Sequence, residues 1–386
     1  MAVNIEGTCE PRFERVKEAF AENFAIRREY GAAVSVTVDG ESVIDLWGGH
    51  ADHERTRAWT RDTLVNVFST TKGLTAMCAL RLVDQGKLEL DAPVARYWPE
   101  FAQAGKQAIP VRDFLSHRAG LPAIRQPLPN DAFYRWDFMT EVLAAEQPWW
   151  EPGTKHGYHA ITFGWLVGEV VRRLSGKSLG TYFHDEIAAP LGIDCHIGLD
   201  PRDDSRCGQM IASPPPPPDQ MNIFEYAMRH PESATGKAFM NPPTAMKLGA
   251  VNSRQWRGAE IPAANGHTTA RALARLYGAL ARGGEIDNVR VLSPDGIRRA
   301  YTEQSHGTDE VLRIPTRFGA GFMLTQAHDP MGPNPHAFGH PGAGGSLGFA
   351  DSDARVGFGY TMNKMGPYIL IDPRARALID AVYASL

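Results

Sequence analysis

The sequence predicts a mixed α/β protein of the α+β type, with one sheet completed by both ends of the chain and a helical insertion between them. Three observations lead there. Near the N-terminus Val34, Val36 and Val38 alternate with Ser35 and Thr37, the period of a strand with one face in the core. Near the C-terminus Arg355 to Asn363 again reads as a strand. Between them, from Gln85 to about Thr154, the texture is of short helical pieces broken by proline and glycine, without strand alternation. The expected division is an α/β domain in two parts, 1–80 and 268–386, enclosing a mostly helical domain with insertions, 81–267.

Taken in order, Glu10 to Phe24 has Pro11 near its first position and Phe13, Val16, Phe20 and Phe24 on one stripe, which predicts a first helix. The alternating valines follow, then Asp39-Gly40 as a hairpin turn and Val43 to Trp47 as the returning strand. Val65 to Phe68 reads as a short buried strand. From Ser69 the spacing becomes helical, with Leu74, Met77, Leu80 and Val83 available for one face and Gly86 as the stop. Val111 to Leu115 and Ala132 to Glu146 are the helical pieces of the insertion. Its aromatic residues Phe133, Tyr134, Trp136, Phe138, Trp149 and Trp150 are expected mainly in the core, while the stretch from Asp131 to Trp150 as a whole is expected to shape a substrate pocket. Ile161 to Ser175 is the cleanest helical pattern, ended by Gly176. Five prolines, Pro214 to Pro218, require a rigid extended surface segment. Thr269 to Arg282 is amphipathic and ends at Gly283-Gly284; Phe338 to Asp351 is glycine-rich and extended; Asp372-Pro373 opens a last helix.

Composition excludes some classes of function. A net charge of -4 leaves no basic surface for nucleic acid or anionic membrane, so a small neutral or weakly charged partner is expected. Cys9, Cys78, Cys195 and Cys207 are scattered without C-x-x-C spacing, against a disulfide framework or zinc site. The N-terminus has neither a basic nor an apolar leader region and no run reaches membrane-spanning length, so a cytoplasmic protein is expected. Nothing in composition fixes an oligomeric state.

Ser69 and Lys72 carry the chemistry. A serine at or near a helix N-terminus meets free backbone N–H groups and the positive end of the helix dipole, which favour a developing oxyanion. A lysine one turn on lies on the same side, and with a lowered pKa it can serve as the base that a serine nucleophile requires. Alone, the pair is a helix cap followed by a surface lysine. Two further sites raise it: Tyr158, within Pro152-Gly153-Thr154-Lys155-His156-Gly157-Tyr158-His159-Ala160, and the run His340-Pro341-Gly342-Ala343-Gly344-Gly345-Ser346.

With these residues the chain resembles the serine β-lactamase and penicillin-binding protein superfamily, and most closely the class C β-lactamases and family VIII carboxylesterases. The resemblance runs from about Thr63 to Asn363 and rests on S-x-x-K at Ser69, a middle tyrosine element at Tyr158, an H-x-G variant of the late K-T-G strand at His340, and the segment Leu115-Ser116-His117-Arg118-Ala119-Gly120-Leu121-Pro122. It implies an antiparallel sheet flanked by helices on both faces, joined to a mostly helical domain. It implies Ser69 as acylated nucleophile, Lys72 as proton acceptor, Tyr158 as general base beside it, the backbone N–H groups of Ser69 and Ala343 as the oxyanion hole, and His340, Gly342 and Gly344 against the substrate. His117 is expected to buttress the site. Neither a cofactor nor a metal is implied; the H-x-x-H pairs His50/His53 and His156/His159 lack a third ligand at metal spacing.

Two departures from the lactamase pattern bear on substrate. Ala160 stands where that pattern has asparagine, and His340-Pro341 where it has lysine and a hydroxyl residue. Asparagine, lysine and threonine suit a β-lactam amide and carboxylate, and a plain ester loses little without them. The expectation is a carboxylesterase for short-chain esters, with weak β-lactamase activity at most. A D-amino-peptide or amide hydrolase, an acyltransferase, and a non-catalytic penicillin-binding-like sensor are the alternatives. Gly344-Gly345-Ser346-Leu347-Gly348 also fits the G-x-S-x-G elbow of another hydrolase fold. That fold needs an acid and then a histidine after the serine, and His340 is the last histidine of the chain.

Overall fold

The alternating valines form the centre of a sheet to which both ends of the chain contribute. The computed structural model describes residues 3–214, 223–244 and 247–386. The N-terminal part supplies β1 (Ile5–Cys9), β2 (Gly31–Val38) and β3 (Glu41–Gly49). Short strands β4 (Val65–Asn66), β5 (Cys195–Ile197) and β6 (Gly266–Thr268) make a second sheet in the order β4-β6-β5, and β7 (Glu285–Ile286) pairs with β8 (Val289–Arg290). The C-terminal part supplies β9 (Ser305–Thr308), β10 (Pro315–Phe318), β11 (Met323–Leu324), β12 (Ala337–Pro341), β13 (Leu347–Asp351) and β14 (Val356–Met362). The large sheet runs β1-β3-β2-β14-β13-β12-β11-β10-β9 and is antiparallel throughout. The first and last parts of the chain meet at β2 and β14, where Val36 lies opposite Phe358.

Local chemistry accounts for the elements. Asp39 and Gly40 both take positive φ, 51° and 86°, as a two-residue hairpin turn between twisted strands demands. Thr269 caps the helix Ala270–Ala281 through its side chain, and Asp372 caps Pro373–Tyr383 in the same way. The two sheet faces separate by alternation. Thr37 and its partner Gly357 face the helix Ala270–Ala281: Thr37 Oγ1 donates to Ala274 O at 3.3 Å, and a Cβ on Gly357 would fall 2.2 Å from the backbone nitrogen of Gly278. Only glycine lets that helix lie so close. Tyr360, on the other face, donates to buried Glu29, which pairs with Arg374 of the C-terminal helix at 2.9 Å. Helices therefore flank both faces.

Some expectations change. The stretch Phe338 to Asp351 is not one extended run but the hairpin β12–β13, turned at Gly342–Ser346. The helix Thr71–Asp84 is buried nearly all round through Leu82, not on one stripe, because it runs inside the protein against the helix Thr162–Ser175. β1 and β9 to β11 carried no strand pattern of their own. Of the five prolines, Pro215 to Pro218 lie outside the described residues. Among the described residues no helix is long and apolar enough to cross a membrane.

Candidate active site

Ser69 stands on the turn that joins β4 to the buried helix. The residue before it, Phe68, has φ of 43°, a left-handed conformation that costs an aromatic residue energy and is held only where the surroundings impose it. The surroundings are explicit. Val67 N–H donates to Gly266 O at 2.9 Å, Gly266 N–H donates to Thr71 Oγ1 at 2.8 Å, and Thr71 Oγ1 donates to Phe68 O at 2.5 Å. The helix begins at Thr71, two residues past Ser69, and Lys72 N–H closes the turn on Ser69 O at 2.9 Å. Among the described residues the backbone N–H of Ser69 has no protein acceptor.

Lys72 follows one turn later, fully buried, with Nζ 3.2 Å from Ser69 Oγ. Nζ donates to the carbonyls of Ala160 at 2.7 Å and Ala263 at 3.0 Å, and no carboxylate pairs with it among the described residues. Burial without a counter-charge holds its pKa well below the ordinary lysine value. A neutral amine has two hydrogens, which those two carbonyls take, and a lone pair left to face Ser69.

Tyr158 is 5% exposed, its ring centroid 4.6 Å from Lys72 Nζ and its phenol beside Ser69. Burial pushes that phenol above its ordinary pKa, so it holds its proton in the resting site. Four buried imidazoles gather nearby. His117 packs on the Tyr158 ring at 5.0 Å and its Nδ1 accepts from His159 N–H at 3.1 Å, which makes it a buttress. His159 donates from Nδ1 to Gly157 O at 2.7 Å and accepts at Nε2 from Leu121 N–H at 3.1 Å, so its partners fix a neutral tautomer. His156 bonds Thr316 at 2.9 Å. His340 donates from Nδ1 to Pro341 O at 2.7 Å, and its buried Nε2 has no protein partner among the described residues. Burial pushes His340 down to about 3; it is an uncharged acceptor.

The turn after β12 brings the third segment in. Ser346 Oγ donates to Val67 O at 2.8 Å and lies 3.2 Å from Thr70 Oγ1, so this serine is consumed in tying the turn to the Ser69 segment. Gly342 sits between them. A Cβ there would fall 2.2 Å from both Ser346 Oγ and Val67 O, and the residue lies behind the cavity wall rather than on it. Ala343 and Gly344 do line the cavity, and Ala343 N–H has no protein acceptor among the described residues. Arg374 holds the turn from outside by donating to Gly344 O at 2.7 Å.

Ser69, Tyr158, His340, Ala343 and Gly344 thus open on one cavity of about 390 Å³, with Lys72 beneath. Its apolar wall includes Phe239, Leu248, Leu312, Met323, Ile369 and Leu370, and no lining residue among those described is Asp, Glu, Lys or Arg. This corrects one expectation. No residue between Asp131 and Trp150 lines the cavity; Phe133 packs in the core on Trp165 at 5.3 Å, and Trp149 is bound to Ala123 O. The wall comes instead from the helices Ile223–Arg229, Ala234–Met240 and Leu248–Val251 and from residues 365–370, short segments without a strong apolar period. Asp309, which binds Tyr158 N–H, also went unmarked in the sequence: a lone aspartate in a hairpin has no signature.

Comparisons with known proteins give the family and the fold. Residues 16–381 match the Beta-lactamase family. Esterase/beta-lactamase LipL of Mycobacterium tuberculosis is 38% identical over 373 residues, 95% of this chain and 85% of that protein. The crystal structure of a family VIII carboxylesterase superposes with a TM-score of 0.92 at 43% identity, over 99% of this chain and 100% of the other. EstA from Arthrobacter nitroguajacolicus Rue61a superposes with a TM-score of 0.86 at 33% identity, over 100% and 98%.

Proposed function

The chain belongs to the beta-lactamase family, and on that premise we propose that it is a serine carboxylesterase hydrolysing uncharged short-chain esters through an acyl-enzyme on Ser69. The observation that carries this reading is the amine of Lys72, 3.2 Å from Ser69 Oγ and without a counter-charge among the described residues, at the floor of a cavity whose described lining residues carry no charge.

In this reading Lys72 Nζ takes the proton of Ser69 as Oγ attacks the acyl carbon, and the free N–H groups of Ser69 and Ala343 receive the oxyanion. The Tyr158 phenol, protonated at rest, gives its proton to the departing alkoxide and recovers one from the Lys72 ammonium. The sum is ester plus serine giving acyl-serine plus alcohol, and water then reverses the proton path to release the acid. Tyr158 is thus a relay first and a base only once Lys72 is charged, because burial favours the phenol and disfavours the ammonium.

The substrate follows from charge. A β-lactam presents a carboxylate, for which a neutral His340 and the other described lining residues, none of them charged, supply no counter-ion, whereas an ester needs none. The esterase activity named for the relatives supports the same choice. The test is a series of p-nitrophenyl esters of increasing acyl length beside a chromogenic cephalosporin. Ester turnover should exceed cephalosporin turnover in kcat/KM by at least ~100-fold, about 3 kcal/mol of discrimination; cephalosporin hydrolysis at an equal rate would overturn the reading.

A further inference from the structure

One buried carboxylate near the site takes no part in the mechanism above. Asp309 lies in the connection between β9 and β10 and is fully buried. Its Oδ1 accepts three backbone N–H groups, from Tyr158 at 2.9 Å and from Val311 and Leu312 at 2.8 Å each. Its Oδ2 accepts Thr316 Oγ1 at 3.2 Å, and that hydroxyl in turn bonds His156 Nε2 at 2.9 Å. Beside this, Glu310 N–H donates to His156 O at 3.1 Å, so residues 156–158 are fastened at two points to residues 309–310.

Such an arrangement needs a reason. Tyr158 belongs to no helix or strand, so no ladder fixes its backbone. Burying a carboxylate is costly unless its oxygens are hydrogen-bonded, and here burial raises the pKa of Asp309 while the N–H groups of Leu312, Tyr158 and Val311 on Oδ1 pull it back down. Phe318, at the end of β10, closes the other side, stacked on the Tyr158 ring at 6.2 Å and against His117 at 4.5 Å. The same hairpin that carries Asp309 therefore holds both the backbone and the ring of Tyr158, while Leu312 from it lines the cavity.

We infer that Asp309 is a positioning residue for Tyr158, holding the phenol where it can protonate the departing alkoxide of the ester. The inference rests on the proposed role of Tyr158 and goes beyond it to the residue that sets its place. The bond that breaks is the ester C–O bond. Its electron pair leaves on the alcohol oxygen, which takes the Tyr158 proton, and the proton lost by Ser69 to Lys72 restores the phenol.

This step matters only for a poor leaving group. A nitrophenolate departs without a proton, whereas an ethoxide does not. The experiment compares kcat/KM for ethyl butyrate and p-nitrophenyl butyrate in the wild type, Asp309→Asn, Asp309→Ala, Tyr158→Phe and the Tyr158→Phe/Asp309→Asn pair. Tyr158→Phe should lower the ethyl ester rate by ~100-fold, the low end for general acid catalysis, and the nitrophenyl rate by ~3-fold or less. Asp309→Asn keeps the shape but replaces one acceptor oxygen with an NH₂ that cannot accept; it should lower the ethyl ester rate by ~3- to 10-fold and leave the nitrophenyl rate unchanged. Asp309→Ala should do the same more strongly. In the double variant Asp309→Asn should add no further selectivity, since both changes act on one group.

Equal losses on both esters in Asp309→Asn, or no loss on either, would overturn the inference, as would full additivity in the double variant. If Asp309→Ala does not fold, the asparagine variant and the double variant still decide. Failure of the underlying reading looks different: wild-type protein incubated with p-nitrophenyl butyrate would then show no butyryl adduct on Ser69 by mass spectrometry.

Discussion

Two serines meet across one turn in this protein, and they have opposite fates. Ser69 and Ser346 both sit in short glycine- or threonine-bearing segments that resemble hydrolase motifs, and Ser346 is bonded to Val67, two residues before Ser69. Ser346 is buried and its hydroxyl is spent on Val67 O and Thr70 Oγ1. Ser69 instead opens on the cavity, beside a lysine and two backbone N–H groups that have no counter-charge or acceptor among the described residues. The difference teaches that a nucleophile is distinguished by what its hydroxyl is left free to do, while a motif alone gives only its address. One region is the proposed reacting corner and the other is the brace that holds it.

The largest effect that can break this comparison is Ser69→Ala, expected to lower kcat/KM on p-nitrophenyl butyrate by ~10⁴-fold or more, as loss of a nucleophile does elsewhere. Next, Lys72→Met should cost ~10³-fold while far-UV circular dichroism stays native, since it removes the proton acceptor and keeps the length of the side chain.

Third comes pH. His117, His159 and His340 are neutral in the fold because burial holds them far below their ordinary pKa, the last two at about 3. Unfolded histidine takes its proton near 6.5, so below that pH the unfolded chain binds protons that the folded chain refuses, and stability must fall as pH drops from about 6.5 towards 3. Urea midpoints measured from pH 7 to pH 4 should decline steadily; a flat profile would mean the imidazoles are not held neutral.

On the brace side, Gly342→Ala should destabilise by ~2 kcal/mol, because the added methyl meets Ser346 Oγ and Val67 O at 2.2 Å and the turn must move. Urea titration reads it. The smallest effect sharpens the contrast most: Ser346→Ala should cost ~1 kcal/mol of stability for its lost hydrogen bond and keep ester turnover within ~10-fold of wild type.

Much of this was legible in the sequence, for identifiable reasons. The central hairpin, β14 and the helix Ala270–Ala281 follow from strong periods and clear caps. Ser69, Lys72, Tyr158 and the His340 turn were legible because each has a side chain or glycine pattern tied to acyl-transfer chemistry, and the structure brings them to one cavity. β11, with two residues, is too short to show alternation, and β9 carries Gly307 at φ of 128° within its four residues. The pocket wall escaped notice because it is assembled from short helices and the 365–370 loop, distant in sequence, while the conspicuous aromatic cluster of 133–150 packs away from it. Asp309 escaped because its role exists only once β9 and β10 are folded against Tyr158.

The central claim is that the serine ahead of the buried helix is the one that takes the acyl group, and a covalent probe tests it directly. The protein is incubated with a fluorophosphonate, digested, and each serine peptide is weighed. The account predicts one adduct, on the peptide carrying Ser69, absent in Ser69→Ala and retained in Ser346→Ala. An adduct on Ser346, or an unmodified Ser69 in protein that hydrolyses esters, would contradict it.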